Sequence, residues 1–507
     1  MGGELLEGEG IYEGDDRDKS SDDQDIRQDG GGAQEENGEE GKNLVGVLNT
    51  TVSHYFPRLN EWFGSITDIR NQDLIVYEKQ TIIWAALLAL LSKREARMQI
   101  GRQMREGNVW LNLKELCGQD NLEGMPHGDT VEYSLTRYKE DELEIVQVKM
   151  MAALLRGRVL ERERLLGKYY TVAMDGVHIH SFDYQHCEHC LSCEDKLTGK
   201  KRWFHTKLMA SLVTPSGLCL SMASEWIENE GNYTKQDCEI RAAYRLIKKL
   251  RIFYPKLPMC LLVDALYAGQ PIFDALKQER MEWIVVFKEG SMSTLYPWVM
   301  SIKEQCAKDN MIIDIDEEEI EERQRRSHEQ RLKRGKPKNK KRIRVTETTY
   351  TWITGIGVPI GYERIGRLPF NVMTCKEIVD GKKTCDYVWL CSDGLNLCAD
   401  NVKQLTQRGG RCRWKIENEG INMQKNGGYC LEHLYSRDKV SMKIWCALID
   451  IAHLINQLIE QGSLITIKTY GSVRNIAQRL FEHLRYYVFR RPENPPRIQI
   501  RLGWNST

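Results

Sequence analysis

Asp175 closes an apolar run, Tyr169 to Met174. Asp264 closes a second, Met259 to Val263, and Glu417 lies in a helical stretch, Arg413 to Glu419. The three carboxylates are separated by 89 and 153 residues, so they act together only if the fold gathers them. Gathered, they form an oxygen-only site of the kind Mg²⁺ prefers, a few carboxylates with several retained waters. Two such ions about 3.5–4 Å apart can activate an attacking oxygen and stabilise the leaving oxygen of a phosphodiester. The expected chemistry is phosphoryl transfer on nucleic acid with Mg²⁺ or Mn²⁺, Asp175 bridging two ions and Asp264 and Glu417 holding one each. Taken singly, each residue has an ordinary reading: a turn at Asp175-Gly176, a helix N-cap at Asp264, a surface helix position at Glu417. Glu419 competes with Glu417, because residues two apart on a helix face different ways. Arg413, four positions before Glu417, shares its face. Glu419 is read as lacking such a partner, and Glu417 is therefore favoured.

These residues need a scaffold. From residue 168 the pattern predicts strands at Tyr169–Met174, Arg202–Val213 and Gly217–Ser224, a helix at Thr234–Arg251, and a strand at Pro258–Val263. The last of these is nearly all apolar and so central. A helix at Gln270–Gln278 and a strand at Trp283–Phe287 follow. Strand, strand, strand, helix, strand, helix, strand is the element order of a ribonuclease H-like fold, with an aspartate at the first strand and another just after the fourth. The expected class is α/β: a ribonuclease H-like mixed sheet flanked by helices, an inserted β subdomain and an N-terminal helical domain. The core would run over 166–288, pause for a β insertion with a charged arm at 289–405, and finish over 406–507 with closing helices at Ser441–Glu460 and Val473–Tyr487. Residues 43–165 read as helical, with a long amphipathic segment at Glu78–Met104, a capping box at Asp129 and Glu132 and a second long segment at Glu140–Leu166. This part is a candidate DNA-end-binding domain, or equally a packing or dimerisation domain.

A family resemblance rests on particular residues. Met174-Asp175-Gly176, Lys235-Gln236-Asp237-Cys238-Glu239, Val263-Asp264, and Trp414 to Gly420 followed by Lys425-Asn426-Gly427-Gly428-Tyr429 resemble insertion-sequence transposases of the DDE class, specifically those with a Tyr-Arg-Glu-Lys signature on a late helix. The resemblance spans about residues 120–460. It implies DNA cleavage at transposon ends and strand transfer to a target, by a dimer or higher assembly on DNA. Arg413 and Glu417 match the signature. Its tyrosine position is occupied by Gly410 and its lysine position by Gln424, with Lys425 one step later as a substitute. Arg413 and Lys425 are accordingly expected to contact DNA. The two departures keep open a catalytically impaired, transposase-derived DNA-binding protein. The fold alone also admits another ribonuclease H-like nuclease.

Between the first two strands, His186-Cys187-Glu188-His189-Cys190-Leu191-Ser192-Cys193 carries metal-ligand spacing, and His186, Cys187, Cys190 and Cys193 are candidate Zn²⁺ ligands. The alternative is a reduced polar hairpin loop, turning at Thr198-Gly199-Lys200. Residues 323–344 hold 12 Lys or Arg and one acidic residue. Among them Lys333, Arg334, Lys336, Lys340, Lys341 and Arg342 are candidate phosphate contacts, which the acidic run Asp314–Glu322 is able to pair with in the absence of DNA. Trp352, Trp389 and Tyr350 read as core, with Trp352 also a candidate for stacking on a flipped base.

The zero formal charge hides an asymmetry: residues 1–42 carry 15 acidic and 4 basic side chains, leaving a mildly basic body suited to a polyanion. That acidic stretch is too polar to offset chain entropy and is expected to be a disordered tail. The longest clean apolar run, Ile82–Leu91, is short of the roughly 20 residues of a membrane span. No signal segment is evident, and 15 cysteines then suggest a reducing, cytoplasmic setting; the resemblance to transposases implies association with the nucleoid there.

Overall fold

The computed structural model describes residues 42–94, 96–230, 235–292, 295–306, 309–322, 340–356, 369–492 and 498–503, with side chains at all of these except 304–306, 321, 322 and 340. The acidic tail through residue 41, and Lys333, Arg334 and Lys336, lie outside the described residues. The class is α/β, a large mixed sheet flanked by helices. Ten strands form it: β1 (Tyr170–Phe182), β2 (Leu191–Glu194), β3 (Lys201–Val213), β4 (Cys219–Ile227), β5 (Met259–Val263), β6 (Glu282–Val286), β7 (Met311–Glu322), β8 (Lys340–Ile356), β9 (Phe370–Val379) and β10 (Lys382–Ser392). They lie in the order β2-β3-β1-β5-β6-β10-β9-β8-β7, with β4 also pairing β3. β3 is antiparallel to β1 and to β4, whereas β5 is parallel to β1 and β6 to β5. β5 is buried throughout, as its unbroken apolar run requires of a central parallel strand.

The strands after residue 289, expected to form an inserted subdomain, instead continue this sheet. β10 pairs antiparallel with β6 through Trp389↔Val286, Leu390↔Val285 and Cys391↔Ile284. Apolar residues of β10 and β9 thereby join the same core, and Tyr350, Trp352 and Trp389 are buried in it. The acidic run is itself a strand: β7 pairs along β8, with Glu318 opposite Arg344 and Glu322 opposite Lys340.

Helical boundaries depart from periodicity where local chemistry intervenes. The stretch from Glu78 breaks after a helix at Lys79–Leu91, whose residues are buried nearly all round. Lys93 then takes a left-handed φ of 53° that no helix continues. The expected capping box is absent. His127 caps the helix Gly128–Leu135 by accepting from the Asp129 N–H at 3.2 Å. Glu132 instead reaches the long C-terminal helix, accepting from Ser441 Oγ at 3.0 Å and Trp445 Nε1 at 3.3 Å. That helix, Lys439–Glu460, is the one among the described residues long and apolar enough to cross a membrane, and 94% of its apolar window is buried inside the protein. Beneath it Lys207 Nζ donates to Asp450 Oδ2 at 2.8 Å, both side chains almost fully buried.

Between Ala399 and Asn426 the chain runs almost continuously helical across one face of the sheet, widening into π-helical turns at Leu405–Gly409 and Ile416–Asn422. It lies close. A Cβ on Gly410 would come within 2.5 Å of the Trp389 ring of β10, and one on Gly420 within 2.7 Å of Cys219 Sγ of β4. Spanning from β10 to β4, the helix passes over β1 and delivers Glu417 there.

Candidate active site

Strand register places the two aspartates. In the parallel β1–β5 pair, Ala173 stands opposite Leu262. Asp175 and Asp264 each follow two residues later, so they sit at one level on neighbouring strands, whose spacing is about 4.8 Å. Asp175 Oδ1 accepts from the Gly176 N–H at 2.9 Å. Asp264 Oδ1 accepts from the Ala265 N–H at 2.7 Å, capping the short turn Ala265–Tyr267, so its ordinary role and its placement in the site coexist.

Glu417 reaches the same place through Arg413. The guanidinium is 2.7 Å from Glu417 Oε1 and 4.0 Å from Asp175 Oδ2, and it is buried. Arg413 was expected to contact DNA. The structure makes it an internal cation between two carboxylates, because its helix presses that face onto the sheet. Glu419 has a partner after all: Lys415 Nζ, four positions earlier, stands 3.3 Å from Glu419 Oε1. The choice between the glutamates therefore rests on direction rather than on pairing. Glu417 shares an arginine with Asp175, whereas Glu419 lies toward Cys219 of β4 and raises its thiol pKa in addition to the larger effect of burial.

A fourth carboxylate, missed from sequence, completes the cluster. Glu239 opens the helix Glu239–Phe253 and accepts from Tyr267 Oη at 2.5 Å. It lies so close to Gly176 that a Cβ there would meet Glu239 Oε2 at 2.7 Å. An acid in the first turn of a helix reads by default as complementing the helix dipole. The signal available in the sequence was Gly176 itself, since a glycine directly after a candidate ligand marks a close approach. Lys288, just beyond β6, was also missed; its exposed Nζ is 3.6 Å from Asp264 Oδ1.

The electrostatics agree that these groups share one neighbourhood. Burial, then the negative charges of Glu417 and Glu239, raise the Asp175 carboxyl from 3.8 to about 6 despite Arg413 and the Gly176 hydrogen bond. Burial, with Glu239, Asp175 and Asp264 all contributing, holds the Tyr267 phenol well above its usual range. Oxygen donors gathered around Asp175, whose charge its neighbours Glu417 and Glu239 disfavour, are of the type a hard divalent cation takes.

The remaining predicted residues fall as follows. Gly410, at the tyrosine position of the signature, has its side-chain space filled by Trp389. Gln424, at the lysine position, is buried and donates from Nε2 to Asp450 Oδ1 at 2.9 Å. Lys425 is nearer the surface, 2.6 Å from Glu432 Oε1. Lys341 pairs with Glu319 at 2.6 Å, Arg342 with Asp380 at 2.6 Å, and Arg344 with Glu318. Lys340 is placed by the backbone of β8 only. Of the cysteine-histidine set, His186, Cys187 and Cys190 converge, but Cys193 is exposed on β2 and stands apart. His205 of β3 takes its place.

The chain matches no protein-family profile and no curated protein.

Proposed function

We propose that the chain is a DDE-class transposase that cuts DNA at the ends of its own element and joins the freed 3′-hydroxyl to a target. One observation carries the reading: Asp175 and Asp264 stand level on adjacent parallel strands, and Glu417 comes to the same place from the crossing helix. The strand order β4-β3-β1-β5-β6, with its parallel and antiparallel senses, supports a ribonuclease H-like core. Asp175, Asp264 and Glu417 would hold Mg²⁺ or Mn²⁺, with Glu239 beside them; bound there, the ions supply an activated oxygen nucleophile and charge stabilisation at the leaving oxygen. Arg413 keeps Asp175 and Glu417 together, and Tyr267 fixes the Glu239 carboxylate. DNA is the partner, contacted by the helical region 43–165, by Lys288 beside Asp264, by Lys425, and by the charged arm. A dimer or higher assembly on DNA, in the cytoplasm, follows from the same family likeness.

A specific observation favours one alternative, a transposase-derived protein that binds DNA without cutting it. Two signature positions, Gly410 and Gln424, are committed to packing and to the buried Asp450. End cleavage and strand transfer with Mg²⁺ on DNA carrying the element's ends decide between them. Asp264→Asn is expected to reduce both steps at least 1,000-fold, on the order of 4 kcal/mol of transition-state stabilisation. Full activity in that variant refutes the assignment, and tight end-specific binding without cleavage by the folded wild type selects the alternative.

A further inference from the structure

The turn between β1 and β2 brings His186, Cys187 and Cys190 against His205 of β3, with ligand atoms from all four within 4.8 Å of one another. Cys187 Sγ and Cys190 Sγ are 3.8 Å apart, and His205 Nε2 is 3.7 Å from the first and 3.4 Å from the second. Zinc bonds of about 2.3 Å to sulfur and about 2.0–2.1 Å to nitrogen, set tetrahedrally, give edges of about 3.8 Å for S···S and about 3.5–3.6 Å for S···N. The three separations among Cys187, Cys190 and His205 match one face of such a tetrahedron, with the His186 ring nitrogen within 4.8 Å as its fourth corner. The 3.8 Å between the two sulfurs is far too long for a disulfide, whose sulfurs lie about 2.05 Å apart.

The surroundings suit thiolate ligands. The Cys187 N–H donates to Cys190 Sγ at 3.3 Å. Cys190 and His205 are 2% and 1% exposed, deep enough to exclude competing water. His186 is held flat on Phe182, ring centroids 4.5 Å apart and planes 11° from parallel. Its Nδ1 is buried without a hydrogen-bond partner among the described residues, a costly state for a polar atom unless something else engages it.

We infer that His186, Cys187, Cys190 and His205 hold a structural zinc ion. Two sulfurs and two imidazoles select zinc over the hard cations that carboxylates bind. Four protein ligands close the coordination shell, which leaves no position for a reacting water and makes the site structural. The ion would brace more than its own turn. Asn229 Nδ2 donates to Cys190 O at 2.7 Å, and the Asp237 N–H donates to Asn229 Oδ1 at 3.1 Å, two residues before Glu239. Gln236 clamps Ser192 from both sides, accepting from its N–H at 2.6 Å and donating to its carbonyl at 2.9 Å.

The test is metal content of the purified full-length chain, which is independent of any DNA reaction. Elemental analysis is expected to return one zinc per chain after dialysis. Cys190→Ser and His205→Ala should lower that value at least tenfold, and Cys193→Ser should leave it unchanged. Replacement by Co²⁺ in the folded wild type should produce the visible absorption of a tetrahedral site with a thiolate-to-metal charge-transfer band, a readout that stands even if the ligand variants fail to fold. A folded wild-type chain that takes up neither zinc nor cobalt stoichiometrically overturns the inference, as does loss of the ion in Cys193→Ser.

Discussion

Replacing Asp175 with Asn should stabilise the metal-free protein while abolishing its chemistry. The carboxyl titrates at about 6 in the folded chain against 3.8 ordinarily, chiefly because it is buried and then because Glu417 and Glu239 stand near. The folded state thus binds the proton more tightly than the unfolded state does. Stability is lost as pH rises from about 4 through 6, and the full penalty is present above that window. A shift of this size is about 3 kcal/mol at pH 8 and roughly half of that at pH 5. Asn carries no charge to desolvate and still offers an oxygen to the Gly176 N–H, so the variant escapes the penalty. The contact it weakens, Arg413 at 4.0 Å from Asp175, is long, so the offsetting loss is small. For a unit of this size about 1 kcal/mol moves the unfolding temperature by about 1 °C. Thermal unfolding in chelator should therefore place the variant about 3 °C above wild type at pH 8, with the gap narrowing as pH falls to 5. Adding Mg²⁺ should close the gap from the other side, since ligand at 100 times its dissociation constant stabilises the wild type by about 2.7 kcal/mol and the variant by much less. A variant that is less stable than wild type at pH 8 in chelator, or a gap independent of pH, refutes the charge-repulsion account of this site.

Three further outcomes follow from the packing. Glu417→Gln should abolish Mg²⁺-dependent cleavage, whereas Glu419→Gln, which breaks only a partly exposed pair with Lys415, should alter stability by less than about 1 kcal/mol and leave cleavage within about threefold of wild type; cleavage assays on the two variants would reverse the ranking if Glu419 were the ligand. Gly410→Tyr, which supplies the tyrosine of the transposase signature, should lower stability by about 1–3 kcal/mol or more, because even its Cβ would lie 2.5 Å from the Trp389 ring; a variant with wild-type unfolding temperature would contradict the close approach. Lys207→Met leaves Asp450 charged and buried without its cation, which should cost about 3–5 kcal/mol by thermal or denaturant unfolding, and retention of wild-type stability would show that Gln424 alone satisfies Asp450.

Both aspartates were legible because each follows an apolar run; β5 does end at Val263, just before Asp264, whereas β1 runs on through Asp175 to Phe182. The order of β1, β3, β4, β5 and β6 with the two helices among them was legible from the same patterns; the short β2 was read as loop, β1 continues past the expected end at Met174 to Phe182, and the helix expected from Thr234 starts at Glu239. What could not be read was anything decided by contact between distant segments. Glu239 looks like an ordinary first-turn acid until Gly176 is seen beneath it. Cys193 has the better sequence spacing, yet it pairs with Arg202 and is exposed, on the face of the sheet opposite His205, which joins the cluster instead. The strands after residue 289 carried β character plainly, but nothing in their composition said that β10 would zip onto β6 and merge the insertion into the core sheet. The π-helical turns around Glu417 were equally hidden, since an extra residue per turn depends on how a helix settles across a sheet.

The hairpin of β7 and β8 has a consequence for how the protein would respond to salt. Its three described basic side chains face protein carboxylates, Lys341 on Glu319, Arg342 on Asp380 and Arg344 on Glu318. A free basic arm gains entropy when it displaces small cations condensed on DNA, and each phosphate it neutralises steepens the fall of affinity with ionic strength by about 0.9 logarithmic units per decade. Lys341, Arg342 and Arg344 must first surrender those carboxylates, which then need cations of their own. Ions released from the DNA would be taken up by the protein, and the two contributions would oppose each other. If the proposed DNA binding holds, its affinity should accordingly fall less steeply with salt than three free cations at 341, 342 and 344 would make it.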